Sequence, residues 1–344
     1  MTNAHSDSVD FRRRGVLGMA AMTTAAAQFG VLGTASRAGA SGTTDSFPPL
    51  RQIDAGLLSI GHVDLGPADG APVILLHGWP YDIYSFAEVA PLLIKAGHRV
   101  IIPYLRGYGA TVFRSADTVR NGQQTAFALD VIALMDALKI RRAALAGFDW
   151  GARTADIVAA LWPERCAGLV SVSGYLIGSQ HANEAPLPPK AELSWWYQFY
   201  FATERGRIGY DHNRHDFNKL IWQTASPQWH FDDATYERSA RAFDNPDHVA
   251  IVIHNYRWRL GLAQGEPHYD AFEDKLAAIP AISVPTITME GDANGAPHPK
   301  PEDYGARFTG RYEHRLTSGG IGHNLPQEAP AAFAAAVLAV VRMT

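Results

Sequence analysis

Asp149 sits at the centre of Gly147-Phe148-Asp149-Trp150-Gly151, between an apolar run, Ala143 to Phe148, and a helical pattern from Arg153 to Leu161. Glycines two residues to either side permit a very tight turn, the setting of a nucleophile elbow with aspartate in place of the usual serine. A helix N-terminus just beyond the turn favours an anion, so Asp149 is expected to stay ionised and nucleophilic at neutral pH. The plainer assignment is a helix-capping aspartate, a common role for this residue. His77-Gly78-Trp79-Pro80 follows another buried run, and the N–H groups of Trp79 and Trp150 would converge on a carbonyl oxygen of Asp149 in its ester form as an oxyanion hole. Gly320-Ile321-Gly322-His323-Asn324 puts an imidazole on a loop after the last strand, as a general base would require. An isolated histidine is more often structural; the order nucleophile, acid, histidine along the chain is what favours chemistry.

The elements that must position these residues follow from the apolar pattern. Val73 to Leu76, Arg99 to Pro103, Ala143 to Phe148, Gly168 to Val172, Pro285 to Met289 and Glu313 to Leu316 read as strands. Phe86 to Ala96, Thr125 to Leu138, Arg153 to Leu161 and Pro330 to Val341 read as helices between or after them, the alternation of a largely parallel sheet with crossover helices. From about Gly178 to Ala278 the alternation stops, and the chain becomes aromatic, histidine-rich and helical after a proline-rich entry at Pro186, Pro188 and Pro189. The expected organisation is a core over 50–177 and 279–344, a helical cap over 178–278, and a linker over 41–49.

From about Pro72 to the C-terminus the chain resembles the α/β-hydrolase superfamily, and within it the branch of epoxide hydrolases and haloalkane dehalogenases that use an aspartate nucleophile. The resemblance implies an α/β fold with a mostly parallel central sheet flanked by helices and an inserted helical cap. It implies His323 as the base and an acid that orients it. Counting three residues beyond Gly291, where the family usually carries that acid, reaches Asn294, and aligning the downstream proline with Pro299 gives the same residue. Asp292 lies two residues earlier. Charge favours Asp292 and spacing favours Asn294, whose amide oxygen would stabilise an imidazolium less than a carboxylate does.

The same resemblance implies two cap tyrosines that protonate an epoxide oxygen, a task suited to a phenol whose pKa near 10 keeps it protonated at pH 7. Tyr197, in Trp195-Trp196-Tyr197-Gln198-Phe199-Tyr200-Phe201, matches the segment bearing the first, and Tyr256, in Asn255-Tyr256-Arg257, the segment bearing the second. For a single tyrosine in so aromatic a stretch, packing within the cap is the default role. The implied reaction is epoxide hydrolysis to a diol through an aspartyl ester. A haloalkane dehalogenase would use the same aspartate, with indole N–H groups of Trp79, Trp150 and Trp195 or Trp196 holding halide. A haloacid dehalogenase would want arginines for a substrate carboxylate, for which Arg106 in Leu105-Arg106-Gly107-Tyr108-Gly109 stands alone; that loop reads as structural. A non-catalytic ligand-binding homologue is the reading that the asparagine at the acid position would support.

The 344 residues, with 47% apolar and 19% charged side chains, suit a globular core with a sizeable insertion. A formal charge of −4 gives no basic footprint, so nucleic acid is not an expected partner; a small apolar substrate and water are. No metal-ligand set or phosphate loop emerges among the motifs, and no cofactor is implied. Arg13-Arg14-Gly15-Val16-Leu17 precedes a weakly apolar stretch to Ala35, with Ala38-Gly39-Ala40 as a cleavage site. Residues 1–40 thus resemble a twin-arginine export signal, implying the export machinery as a partner and a periplasmic or secreted location.

Overall fold

The computed structural model describes residues 47–343, so the export-signal expectation lies outside the described residues. The described chain opens with two antiparallel strands, β1 (Arg51–Ala55) and β2 (Leu58–Leu65). There follow β3 (Pro72–Leu76), helix α1 (Val89–Lys95), β4 (Arg99–Pro103), the short β5 (Val112–Phe113), α2 (Gln124–Ala137), β6 (Ala143–Gly147), α3 (Trp150–Leu161) and β7 (Cys166–Val172). Six helices come next: α4 (Pro189–Ser194), α5 (Trp196–Ala202), α6 (Glu204–Ala225), α7 (Asp233–Ala240), α8 (His248–Arg259) and α9 (Asp270–Ala277). The chain then returns through β8 (Thr286–Gly291), α10 (Pro301–Tyr304), β9 (Tyr312–Thr317), α11 (Leu325–Glu328) and α12 (Pro330–Arg342).

The nine strands form one sheet in the order β1-β2-β4-β3-β6-β7-β8-β9, with β5 added to β2. Every pairing from β4 through β9 is parallel, whereas β1, β2 and β5 are attached antiparallel. The central strands β6 and β8 are buried at every position, because helices cover both faces of a parallel sheet and leave no polar side to alternate with. The edge strand β9 instead mixes half-buried and exposed positions and carries Glu313, His314 and Arg315, which suits an edge that must not recruit another strand.

Two helices start away from where the sequence pattern places them. The helix expected from Phe86 starts at Val89, because Asp82 accepts the Tyr84 N–H and closes a separate short turn over Ile83–Phe86. The helix expected from Arg153 starts three residues earlier, at Trp150, which makes Asp149 its N-cap residue. The Asp149 side chain makes no capping hydrogen bond further along the helix, and of the α3 N–H groups it is that of Trp150 which acts on the carboxylate.

Candidate active site

Asp149 sits between the C-terminal end of β6 and the first turn of α3 with φ of 52° and ψ of −124°, a backbone conformation that an L-residue adopts only when its surroundings impose it. Those surroundings are built by close approach. A methyl group on Gly147 would lie 2.6 Å from the carbonyl carbon of Gly151, and one on Gly151 would lie 2.0 Å from the Leu76 carbonyl oxygen. Only glycine fits at either place, and the turn between them is therefore sharp enough to project Asp149 into a cavity of about 620 Å³. Its side chain keeps 21% of its surface accessible there.

The two carboxylate oxygens have different neighbours. Oδ1 accepts the Trp79 N–H at 2.7 Å, and Oδ2 faces Nε2 of His323 at 3.5 Å. Burial works to raise the Asp149 pKa, but hydrogen bonding and charge from His323 and the N–H groups of Trp79 and Trp150 outweigh it, leaving the carboxyl below its ordinary value. The site thus holds an anion, as a nucleophilic carboxylate requires. His77, next to the Trp79 loop, is a structural brace: its Nδ1–H donates to the Gly78 carbonyl at 3.0 Å and its Nε2 accepts the Leu105 N–H at 3.1 Å. Burial lowers its pKa to about 4, so it stays neutral.

His323 Nδ1 lies 3.2 Å from Oδ1 of Asn294, the residue that spacing favoured. The amide cannot be turned round: Oδ1 also accepts the Ala296 N–H at 2.9 Å, while Nδ2 donates to Glu290 Oε1 at 2.7 Å and to Ser173 Oγ at 3.3 Å. With an acceptor fixed toward it, Nδ1 of His323 keeps its proton, so the proton that His323 exchanges is the one on Nε2, the nitrogen facing Asp149: while present it holds the carboxylate as an anion, and once lost it leaves Nε2 as the base. Charge did not bring Asp292 to the imidazole. Its exposed carboxylate accepts the N–H groups of Gly319, Gly320 and Ile321 at 2.9, 2.9 and 3.0 Å, which lower its pKa and shape the loop leading to His323. Glu290 was not anticipated. Lying near the end of β8 with 9% of its side chain accessible, it places a carboxylate one hydrogen bond behind Asn294.

Tyr197 on α5 and Tyr256 on α8 both line the cavity with Asp149 and His323. Burial raises both phenol pKa values; at Tyr256 the neighbouring Tyr197 and then Asp149 add to the rise, and at Tyr197 Asp149 adds to it while Tyr256 works against it. Both therefore hold their protons. The Trp79 ring packs against both, at 5.1 and 5.2 Å between centroids. Its indole N–H is occupied elsewhere, donating to Tyr210 Oη at 2.9 Å, which in turn contacts His248 Nε2 and Asn218. The indole N–H of Trp150 is buried without a partner among the described residues. Arg106 lies outside the cavity lining, in a bidentate pair with Asp130 at 2.6 and 2.7 Å. Two arginines that the sequence did not single out, Arg153 and Arg259, do line the cavity.

A family model described as alpha/beta hydrolase fold matches residues 71–207. The crystal structure of a Klebsiella pneumoniae protein provisionally named an epoxide hydrolase superposes with a TM-score of 0.86 at 65% sequence identity, covering 88% of this chain and 100% of that one. Epoxide hydrolase B of Mycobacterium tuberculosis is 36% identical over 152 residues, 40% of this chain and 42% of that protein, so the match spans less than half of the curated relative. A haloalkane dehalogenase of Mycobacterium marinum is 27% identical over 260 residues, 70% of this chain and 80% of that protein. The chain belongs to the α/β-hydrolase-fold family and is epoxide hydrolase-like within it.

Proposed function

We propose that the protein hydrolyses epoxides to diols through a covalent ester on Asp149. The observation that carries this reading is the pairing of two protonated phenols, Tyr197 and Tyr256, with an ionised Asp149 in one cavity. Ring opening needs a nucleophile at carbon and a proton for the departing oxygen, and these groups supply both. Oδ1 is already held by the Trp79 N–H, so Oδ2 attacks the ring carbon while a phenol protonates the oxygen. The ester carbonyl then rests on the Trp79 and Trp150 N–H groups. Nε2 of His323 takes a proton from water as its oxygen adds to the Asp149 carboxyl carbon, and the oxyanion forms at those same donors. Collapse expels Oδ2 with the diol, which receives the proton from His323, and the proton that the added water leaves on the Asp149 carboxyl returns, through solvent, to the phenolate, restoring both groups.

The new diol oxygen comes from Asp149, so a single turnover in heavy-oxygen water is expected to give unlabelled diol and label in the peptide carrying Asp149. Label in that first diol would remove the ester mechanism. One observation favours haloalkane dehalogenation as a second reading: the unpartnered indole N–H of Trp150 is a halide donor in waiting. Against it, the Trp79 indole donates to Tyr210, and halide departure has no need of the two phenols. A reporter epoxide and a haloalkane offered side by side separate the readings, since diol, halide or neither is released; neither would favour a ligand-binding homologue. Export by the twin-arginine route is proposed from Arg13 and Arg14, and replacing both with lysine should trap the precursor in the cytoplasm.

A further inference from the structure

The cavity wall is apolar along Leu176, Ile177, Trp195 and Ile221, yet it contains two guanidinium groups, Arg153 of α3 and Arg259 of α8. Neither takes part in an ion pair among the described residues. Arg153 is tied by its Nε–H to the Leu176 carbonyl at 2.9 Å, a neutral partner. Arg259 lies over the rings of Trp195 and Tyr256, 5.3 and 5.7 Å from their centroids, a contact that holds the group in place without neutralising it. The nearest carboxyl on the same helix, Asp156, is no counter-ion: burial raises its pKa to about 8, so it is neutral at pH 7. Burial, then the neighbouring Arg259, brings the Arg153 pKa down to about 10, as expected of a cation desolvated beside another. Both arginines also border a recess of about 40 Å³, room for one small polar group.

Both side chains are half-buried, and two like charges held beside each other in a largely apolar wall repel unless something anionic joins them. Among the described residues Asp149 is the ionised carboxylate that acts on Arg153 from within the cavity, and the proposed reaction removes that charge when the ester forms. We propose that Arg153 and Arg259 form a subsite for a carboxylate carried by the substrate, so that the preferred substrate is an epoxide with an apolar body and one carboxylate group. This rests on the epoxide reading of Asp149 and specifies its substrate class. Paired guanidinium groups bind a carboxylate in a directed way that a neutral ester or amide cannot match, and a charge-assisted contact is about twice as strong as a neutral one.

The test uses the full chain and a series of terminal epoxyalkanoates of increasing length, each against its methyl ester. For the length that bridges Asp149 and the arginines, kcat/KM should favour the acid by roughly tenfold or more, mainly through KM. Arg153→Met and Arg259→Met should each bring the acid-to-ester ratio toward unity. In parallel, the inert saturated alkanoates should bind the unaltered protein more tightly than their amides, a comparison that needs no variant to fold and no turnover. Acid and ester hydrolysed equally at every length, with alkanoate bound no better than amide, would overturn the subsite and leave the epoxide reading standing. Tight alkanoate binding with no diol from any epoxide would do the reverse.

Discussion

At the scale of single residues, Asn294 can direct His323 only because its own amide is directed. Glu290 accepts from one side of that amide and the Ala296 N–H donates to the other, so the negative charge that an acid would place on the imidazole stands one hydrogen bond further back. The arrangement predicts an exchange. Asn294→Asp alone sets two carboxylates about where a 2.7 Å hydrogen bond now lies, and one of them must take up a proton. Ester hydrolysis should therefore improve little or fall. Adding Glu290→Gln gives the introduced carboxylate an amide donor and moves the charge beside His323, so the double variant should hydrolyse the Asp149 ester faster than Asn294→Asp, read by the decay of the ester in single-turnover mass spectrometry. Equal rates in the two variants would show that Glu290 has no electrostatic part. Asp149 and His323 were legible in the sequence because glycine spacing and chain order mark them. The choice between Asp292 and Asn294 was not, since charge alone ignored the three backbone N–H groups that hold Asp292 in its own loop. Glu290 and Arg153 were hidden for another reason: each lies within a regular strand or helix, where no local pattern says that the side chain points at a site.

At the scale of elements, the site depends on how closely α3 leaves β6. The parallel core was readable from continuous apolar runs such as Val73 to Leu76, because strands buried on both faces contain little else. The N-terminal strands escaped: β1 is Arg-Gln-Ile-Asp-Ala with mostly exposed positions, and its pairing with β2 is set by a turn and by distant β4 rather than by its own pattern. The crossing of α3 over the end of β3 leaves no room for added volume. Gly151→Ala would push a methyl group to 2.0 Å from the Leu76 carbonyl, a backbone atom that cannot rotate away. Overpacking of this kind costs about 1–3 kcal/mol, occasionally more. The variant is expected to melt several degrees lower and to lose ester formation together with stability, because Leu76 leads directly into the Trp79 loop. A thermal melt that matches the unaltered protein would show that the helix can pivot, and that the turn is less constrained than its geometry implies.

At the scale of the whole molecule, the buried carboxyls set how stability depends on pH. Asp156 is enclosed behind the site, with Oδ2 accepting the Leu176 N–H at 2.8 Å, Oδ1 without a hydrogen-bond partner among the described residues, and the Ser171 hydroxyl near the carboxyl. Burial raises its pKa from 3.8 to about 8, against smaller opposing effects of Leu176, Ser171 and Arg153; burial likewise raises that of Asp82, under α7, to about 7. The folded protein therefore binds more protons than the unfolded chain between these values and the ordinary carboxyl range. Stability contributed by the neutral Asp156 is present at low pH and declines as pH rises from about 4 to about 8. Asparagine reproduces the neutral state at every pH: its oxygen can accept from Leu176 and its NH₂ can donate to Ser171 Oγ, which already donates to the Gly174 carbonyl. Asp156→Asn should accordingly leave the melting temperature near that of the unaltered protein at about pH 5 and raise it by roughly 2 °C or more at about pH 8. Taking the difference between variant and parent at each pH cancels the titration of other groups, Asp82 among them. A difference that stays constant across the range, or that grows toward acid, would mean that Asp156 is ionised in the folded protein, and Arg153 would then have a counter-ion within its own helix after all.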